Sequence, residues 1–243
     1  MSRAHATARR RAALAGSVLL AALLLVAGSC ATAPKKPSRP SGPAGALTDE
    51  YARLLHVHRP DLAARWAQYV QDDIVFEPLV SERLPAHERT LRTLLERTNA
   101  LPASEAADTL RTRISLELTQ TVAGGALHRD ALLWLEIVEA AARAPFAHDS
   151  TPGCREVDRV VDQLERIPEA LRGAAVMMRG TPPPDAVVLE AGLTRAEEVL
   201  RRELPRRARG CRDGRLIGRF VEADTLAAAS LAGFRRLVLP QTE

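Results

Sequence analysis

Aromatic residues are nearly missing from this sequence: Phe, Trp and Tyr together make 3% of its 243 residues. Ala, Leu, Arg and Glu take their place, which is the composition of a helical chain. Lysine is almost missing too. Only Lys35 and Lys36 are present and every other base is arginine, a pattern read as codon bias in a GC-rich genome rather than as a functional signal. No stretch of four or more residues alternates with strand periodicity, so a sheet is not expected. Excess charge is missing as well, once the chain is divided. The formal charge is +4, but residues 1–46 hold seven bases and no acid, leaving 27 basic against 30 acidic residues from Leu47 onward. A near-neutral, slightly acidic body lacks the broad positive field that phosphate binding exploits, which excludes nucleic acid as the partner.

What is present begins with the leader. Arg3, Arg9, Arg10 and Arg11 form a basic start, and Ala12 to Ala27 is an almost unbroken apolar run. That run falls short of the ~20 residues a spanning helix requires, so a removed signal is expected rather than a retained anchor. It leads into Leu25-Val26-Ala27-Gly28-Ser29-Cys30, which resembles the bacterial lipobox, where the cysteine is acylated and the leader is cut off before it. Residues 1–29 are accordingly read as a lipoprotein signal peptide and Cys30 as the lipidation site. The alternative is a plain secretory signal cleaved near Ala31 or Ala33. Ala31 after the cysteine points, by the enteric-bacterial sorting rule, to the periplasmic face of the outer membrane.

Residues 30–46 follow as a linker with prolines at 34, 37, 40 and 43. Proline at every third residue favours an extended tether reaching at most about 50 Å at ~3.1 Å per residue. Residues 47–240 read as one all-α domain, a single irregular bundle of eight to nine helices, with 241–243 as a tail. About 197 residues are enough for one real core. Arg59-Pro60 interrupts the first helix, and a second carries Leu62, Trp66, Tyr69 and Val70. A third runs from Leu84 to Asn99. The fourth is capped by Ser104 and stopped by Gly124-Gly125. A fifth, from about Asp130 to Ala144, is apolar on most sides and belongs at the centre of the bundle; its polar residues Glu136, Glu139 and Arg143 form a single line. The sixth carries Val157 to Ile167, and Pro168 starts a seventh that runs through Met178. The eighth buries Leu189 to Leu200, and a ninth runs from Ile217 to Val238.

With Cys30 acylated, Cys154 and Cys211 remain as an even pair in an oxidising compartment, and a disulfide between them is expected. They lie 57 residues apart, so a bridge would remove about 4 kcal/mol of unfolded-state freedom in the loop-entropy picture. The geometric rationale is that the sixth and eighth helices run antiparallel as neighbours; the alternative is two free thiols.

The chemistry-bearing constellations are incomplete. A zinc peptidase helix needs two histidines one turn apart with a glutamate beside the first. His87-Glu88 begins such a motif, but Leu91 stands where the second histidine would be, so His87 reads as a packed histidine. His56-x-His58 has ligand spacing but no cysteine nearby and no acid closer than Asp61, and reads as exposed loop histidines. His128 and His148 are isolated. There is no Gly-x-Ser-x-Gly elbow, phosphate loop or dinucleotide fingerprint. No catalytic, metal or cofactor-binding residue is therefore assigned, and the leaning is away from an enzyme. Two features keep interest. Asp224 lies on the apolar face of the ninth helix, where a carboxylate must be paired or neutralised; an ion pair with an arginine from a neighbouring helix is expected. Arg201, Arg202, Arg206, Arg207, Arg209, Arg212 and Arg215 cluster near the end of the eighth helix, either as a solvated rim or as a basic patch for lipid head groups or an acidic partner.

Three segments carry a family likeness. They are His58-Arg59-Pro60-Asp61-Leu62-Ala63-Ala64, Gln163-Leu164-Glu165-Arg166-Ile167-Pro168-Glu169-Ala170-Leu171, and the alanine-rich stretch from Ala227 to Pro240. In these, the chain resembles the N-terminal half of the bacterial domain-of-unknown-function 885 family, many of whose members are predicted lipoproteins. The resemblance implies a helical fold and the cell envelope. Full-length relatives continue into a half bearing a His-Glu-x-x-Pro-Gly-His-His segment, similar to a zinc-peptidase helix. No such segment stands in these 243 residues, so no metal site is carried over. The leading expectation is a non-catalytic, membrane-tethered binding or scaffold module with a protein partner in the envelope. The competing expectation is a component of a split zinc metallopeptidase whose catalytic half is on another chain.

Overall fold

A computed structural model describes residues 42–66, 74–147, 153–182 and 185–239, all within one compact unit. The leader, Cys30 and the first part of the tether lie outside the described residues. Every regular element among those described is helical. The fold is all-α.

The first helix, α1 (Gly42–His58), starts inside the stretch expected to be linker. Pro43 suits a first helical turn, where its missing N–H is no loss, and Leu47, Tyr51 and Leu55 then bury one face. That apolar face, rather than the proline period, decides where the helix begins. Pro60 opens α2 (Pro60–Arg65), much shorter among the described residues than the stripe through Val70 implied; residues 67–73 lie outside them. The described part of the connection to the next helix, from Ile74 on, is irregular and buries Phe76 and Leu79. Gln163 holds it: its Oε1 accepts from the Phe76 N–H at 2.8 Å, and its Nε2 donates to the Ile74 carbonyl at 2.8 Å. A buried loop needs such partners, because unpaired backbone groups inside the protein are costly.

Next come α3 (Leu84–Asn99) and α4 (Glu105–Glu117), the latter capped by Ser104 Oγ, which accepts from the Ala107 N–H at 3.2 Å. The α4 helix does not stop where its stripe weakens. It widens into a π turn over Leu118–Ala123 before Gly124, and Gly125 then takes a left-handed φ of 60°, which a side chain would resist. A short α5 (Ala126–Arg129) not foreseen from the sequence follows. Asp130 caps α6 (Ala131–Arg143) through the Leu132 and Leu133 N–H groups. The α6 helix buries Trp134, Leu135, Ile137, Val138, Ala141 and Ala142. Trp134 satisfies its indole N–H on the Leu127 carbonyl at 2.8 Å, as a fully buried tryptophan must.

The remainder comprises α7 (Cys154–Leu164), α8 (Ile167–Met177), α9 (Ala186–Glu198), α10 (Leu204–Ala208) and α11 (Gly214–Val238). A second π turn, Val199–Glu203, joins α9 to α10. The long α11 packs most extensively on α7 and α8, while α6 packs on α9. Two apolar clusters result. The larger draws on α5 to α11 with Phe76 and Leu79 of the connection before α3, and the smaller on α1 to α4. Gly173 on α8 permits one close approach: a Cβ there would lie 2.2 Å from Val80 Cγ1 of the buried connection.

Candidate functional site

Where the two clusters meet, α2, α6, α9 and α10 leave an open cleft of about 770 Å³. Its apolar wall is made of small residues, among them Ala63, Ala140, Ala144 and Ala147. Its polar wall is the line Glu136, Glu139 and Arg143, spaced three and four along α6, so that all three point the same way from an otherwise buried helix. Partners come from distant elements. Glu139 is buried and accepts from Arg143 Nη1 at 3.0 Å and from Arg195 Nε at 3.0 Å. Arg143 reaches on to Glu203 at 3.0 Å, and Arg65 of α2 pairs with Glu136. Burial works to lower the Arg143 guanidinium, but Glu203 and Glu139 outweigh it and hold it above its ordinary value. Arg207 differs from these. It donates to the Phe146 carbonyl at 2.9 Å and stands 5.4 Å over the Phe146 ring, an arrangement that fixes a cation without neutralising it.

Chemically, this wall is suited to holding rather than transforming. A carboxylate whose lone pairs accept from guanidinium groups is poorly placed to take a proton, and arginine does not give one up. Among the described residues no group of three His, Cys, Asp or Glu is arranged to hold a metal ion.

A second constellation is buried against the smaller cluster. Glu117, at the end of α4, accepts from Tyr51 Oη at 2.8 Å and from His87 Nε2 at 2.8 Å. A carboxylate only accepts, so the Nε2 proton sits between His87 and Glu117, and the buried Nδ1 of His87 has no partner among the described residues. His58 stacks edge-on against His87 with ring centroids 5.2 Å apart and donates from Nδ1 to the Glu77 carbonyl at 2.8 Å. Burial, aided by the neighbouring His87, keeps the His58 imidazole below the ordinary histidine range, although the Glu77 carbonyl acts the other way. One residue on, the buried Arg59 forms a two-pronged pair with Asp61, at 2.9 and 2.8 Å, and also donates to Thr121 Oγ1 in the π turn after α4. Tyr51, His87 and Glu117 are each almost wholly enclosed, so their hydrogen bonds tie α1, α3 and α4 together.

The residues singled out in the sequence are dispersed. Cys154 and Cys211 are joined by a disulfide, with Cα atoms 4.5 Å apart. The packing that brings them together is α7 against α11, not the antiparallel pairing of α7 with α9, because Cys211 leads into α11 just as Cys154 opens α7. Asp224 has no ion-pair partner among the described residues, contrary to expectation. Arg201, the cation acting on it, turns to Glu197 at 3.1 Å, and Asp224 Oδ1 is buried without a hydrogen bond. Of the arginine cluster, Arg207 turns into the cleft, while Arg202, Arg206, Arg209, Arg212 and Arg215 are exposed. His56 is buried on the cleft wall rather than exposed in a loop. The His128 carbonyl accepts from Thr181 Oγ1 at 3.0 Å, and His148 and Cys30 lie outside the described residues. Arg195 and Glu203 went unnoticed in the sequence, since only the fold sets them opposite the α6 line. That polar line on an apolar helix was itself the available signal.

No family model matches this chain, and neither a curated protein nor a solved structure shows significant similarity to it.

Proposed function

We propose that this chain is a lipid-anchored protein of the bacterial envelope whose helical domain is a non-catalytic binding or scaffold module, with the cleft as its ligand seat. The observation that carries the reading is the commitment of the cleft's carboxylates. Glu136, Glu139 and Glu203 all sit in guanidinium hydrogen bonds, while Arg207 keeps a charge that no carboxylate answers among the described residues. A preformed concave surface with ordered polar groups and small apolar residues has the character of a recognition site. The leader, the Cys30 junction and the proline-rich segment support the address, and the resemblance to the domain-of-unknown-function 885 family supports the envelope setting. No helix among the described residues is long and apolar enough to cross a membrane; in this reading the chain is attached by acylation of Cys30.

The test is a photo-crosslinking residue at Ala144 in the cleft, compared with one at the exposed Val176, in cells making the full chain. A discrete adduct from position 144 alone supports a ligand seat. Identical adduct patterns from both positions count against it. Zinc content tests whether this chain is itself catalytic. Purified protein should hold no stoichiometric zinc after dialysis and show no chelator-sensitive peptidase activity. About one zinc retained per chain, as a closed site would retain it, overturns the non-catalytic reading.

A further inference from the structure

Residues 201–215 carry seven arginines against two acids, and the structure sorts them by face. Leu204, Ala208 and Cys211 are buried in the larger cluster. Their spacing of four and three is matched on the outside by the exposed Arg202, Arg206 and Arg209. Arg212 and Arg215 extend the exposed charge through the turn into α11. None of these five guanidinium groups has a hydrogen-bond or ion-pair partner among the described residues. The acids nearby are otherwise engaged: Glu203 holds Arg143, Asp213 caps α11 through the Arg215 and Leu216 N–H groups, and Glu197 holds Arg201. Glu198, one turn before Arg202, is the nearest carboxylate in sequence without a partner. The segment is also fixed in place, since the Cys154–Cys211 bond ties its end to the start of α7.

We propose that this arginine face docks on the anionic headgroups of a bilayer, giving the domain a second membrane contact besides its anchor. Two arguments favour a lipid surface over an acidic protein. Protein interfaces concentrate buried aromatic anchors, but residues 201–215 contain no aromatic residue, and their apolar side chains point inward. Five exposed guanidinium groups without partners among the described residues instead suit many separate phosphates, each charge near an anionic surface raising partitioning about fivefold. The proposal uses the anchor only for proximity; its own contact is electrostatic.

The experiment takes the full chain extracted from membranes and reconstitutes it with vesicles of phosphatidylcholine alone, or of phosphatidylcholine with about one third phosphatidylglycerol. Flotation with phosphatidylcholine alone reports the anchor; amide hydrogen exchange over residues 209–216 reports the face. Exchange should slow about fivefold or more on the anionic vesicles only. The protection should vanish in high salt and in the Arg206→Glu/Arg209→Glu/Arg212→Glu variant. Equal exchange on both vesicle types overturns the proposal and leaves the anchor intact. Flotation only with anionic vesicles sinks the anchor and keeps the face. Should the triple variant misfold, the salt dependence of the wild-type chain decides, and salt-insensitive protection overturns the proposal.

Discussion

Arg59 and Asp61 stand two residues apart on either side of Pro60, and that spacing lets one guanidinium grip one carboxylate with both prongs while the chain turns from α1 into α2. Burial alone would disfavour the Arg59 charge, and Asp61 more than restores it. Removing one member leaves the other charged, enclosed and unanswered, so Arg59→Met should cost about 3–5 kcal/mol in urea unfolding. The double variant Arg59→Met/Asp61→Leu should cost clearly less than the two single variants together. An additive result would mean that the pair is not the unit that matters. Asp224 poses the opposite case, a carboxylate without a grip. Burial pushes it up to about 6 from 3.8, against a weaker opposing pull from Arg201. The folded state therefore holds its proton more tightly than the unfolded chain does. Stability contributed by this group is present at low pH and is lost as pH rises from about 4 through about 6. Asp224→Asn should then gain stability over wild type above pH 7, with the gain fading towards pH 4. A gain that is flat with pH would show that Asp224 does not titrate in this window.

At the scale of elements, most of the helices were legible because their punctuation is chemical. Pro60 and Pro168 open α2 and the first turn of α8, Ser104 and Asp130 cap α4 and α6, and Gly124-Gly125 closes the run that α4 begins. The π turns after α4 and α9 were not legible, because widening a helix by one residue leaves the local residue types unchanged while rotating every later side chain. The rotation after α9 falls just before Arg207, which faces the cleft while its neighbours Arg206 and Arg209 face outward. The cleft stayed hidden for a related reason: Glu139 meets Arg195 across 56 residues, and no local period encodes that meeting. The buried connection after α2 is a third example. Its polar anchor, Gln163, belongs to a helix 87 residues away from Phe76, and its closest packing depends on Gly173 having no side chain. Gly173→Ala should lower stability by about 2 kcal/mol, because a short β-branched Val80 held in a buried loop has little room to yield. Val80→Ala in the same chain should recover part of that loss. A neutral Gly173→Ala by thermal unfolding would show that the connection gives way freely.

For the whole molecule, the proposed envelope address turns on one covalent event, acylation of Cys30. The argument is one of length and charge. The apolar run from Ala12 to Ala27 follows four arginines and is too short to be kept as a spanning anchor. The small residues Ala27, Gly28 and Ser29 then allow a peptidase close access to the backbone before the cysteine. Between Cys30 and the start of α1 at Gly42, the sequence carries prolines 34, 37 and 40, a composition that favours an extended spacer. Because α1 claims residues that looked like linker, the greatest reach of the proposed tether falls to about 40 Å at ~3.1 Å per residue. Labelled palmitate should enter the wild-type chain and not Cys30→Ser, and the variant should accumulate with its leader uncut. After cell fractionation, the wild-type protein should require detergent for release from the membrane pellet. A wild-type protein free in the periplasm, unlabelled and beginning near Ala31 or Ala33, would mean that the leader is an ordinary secretory signal. The domain would then meet membranes only through its arginine face.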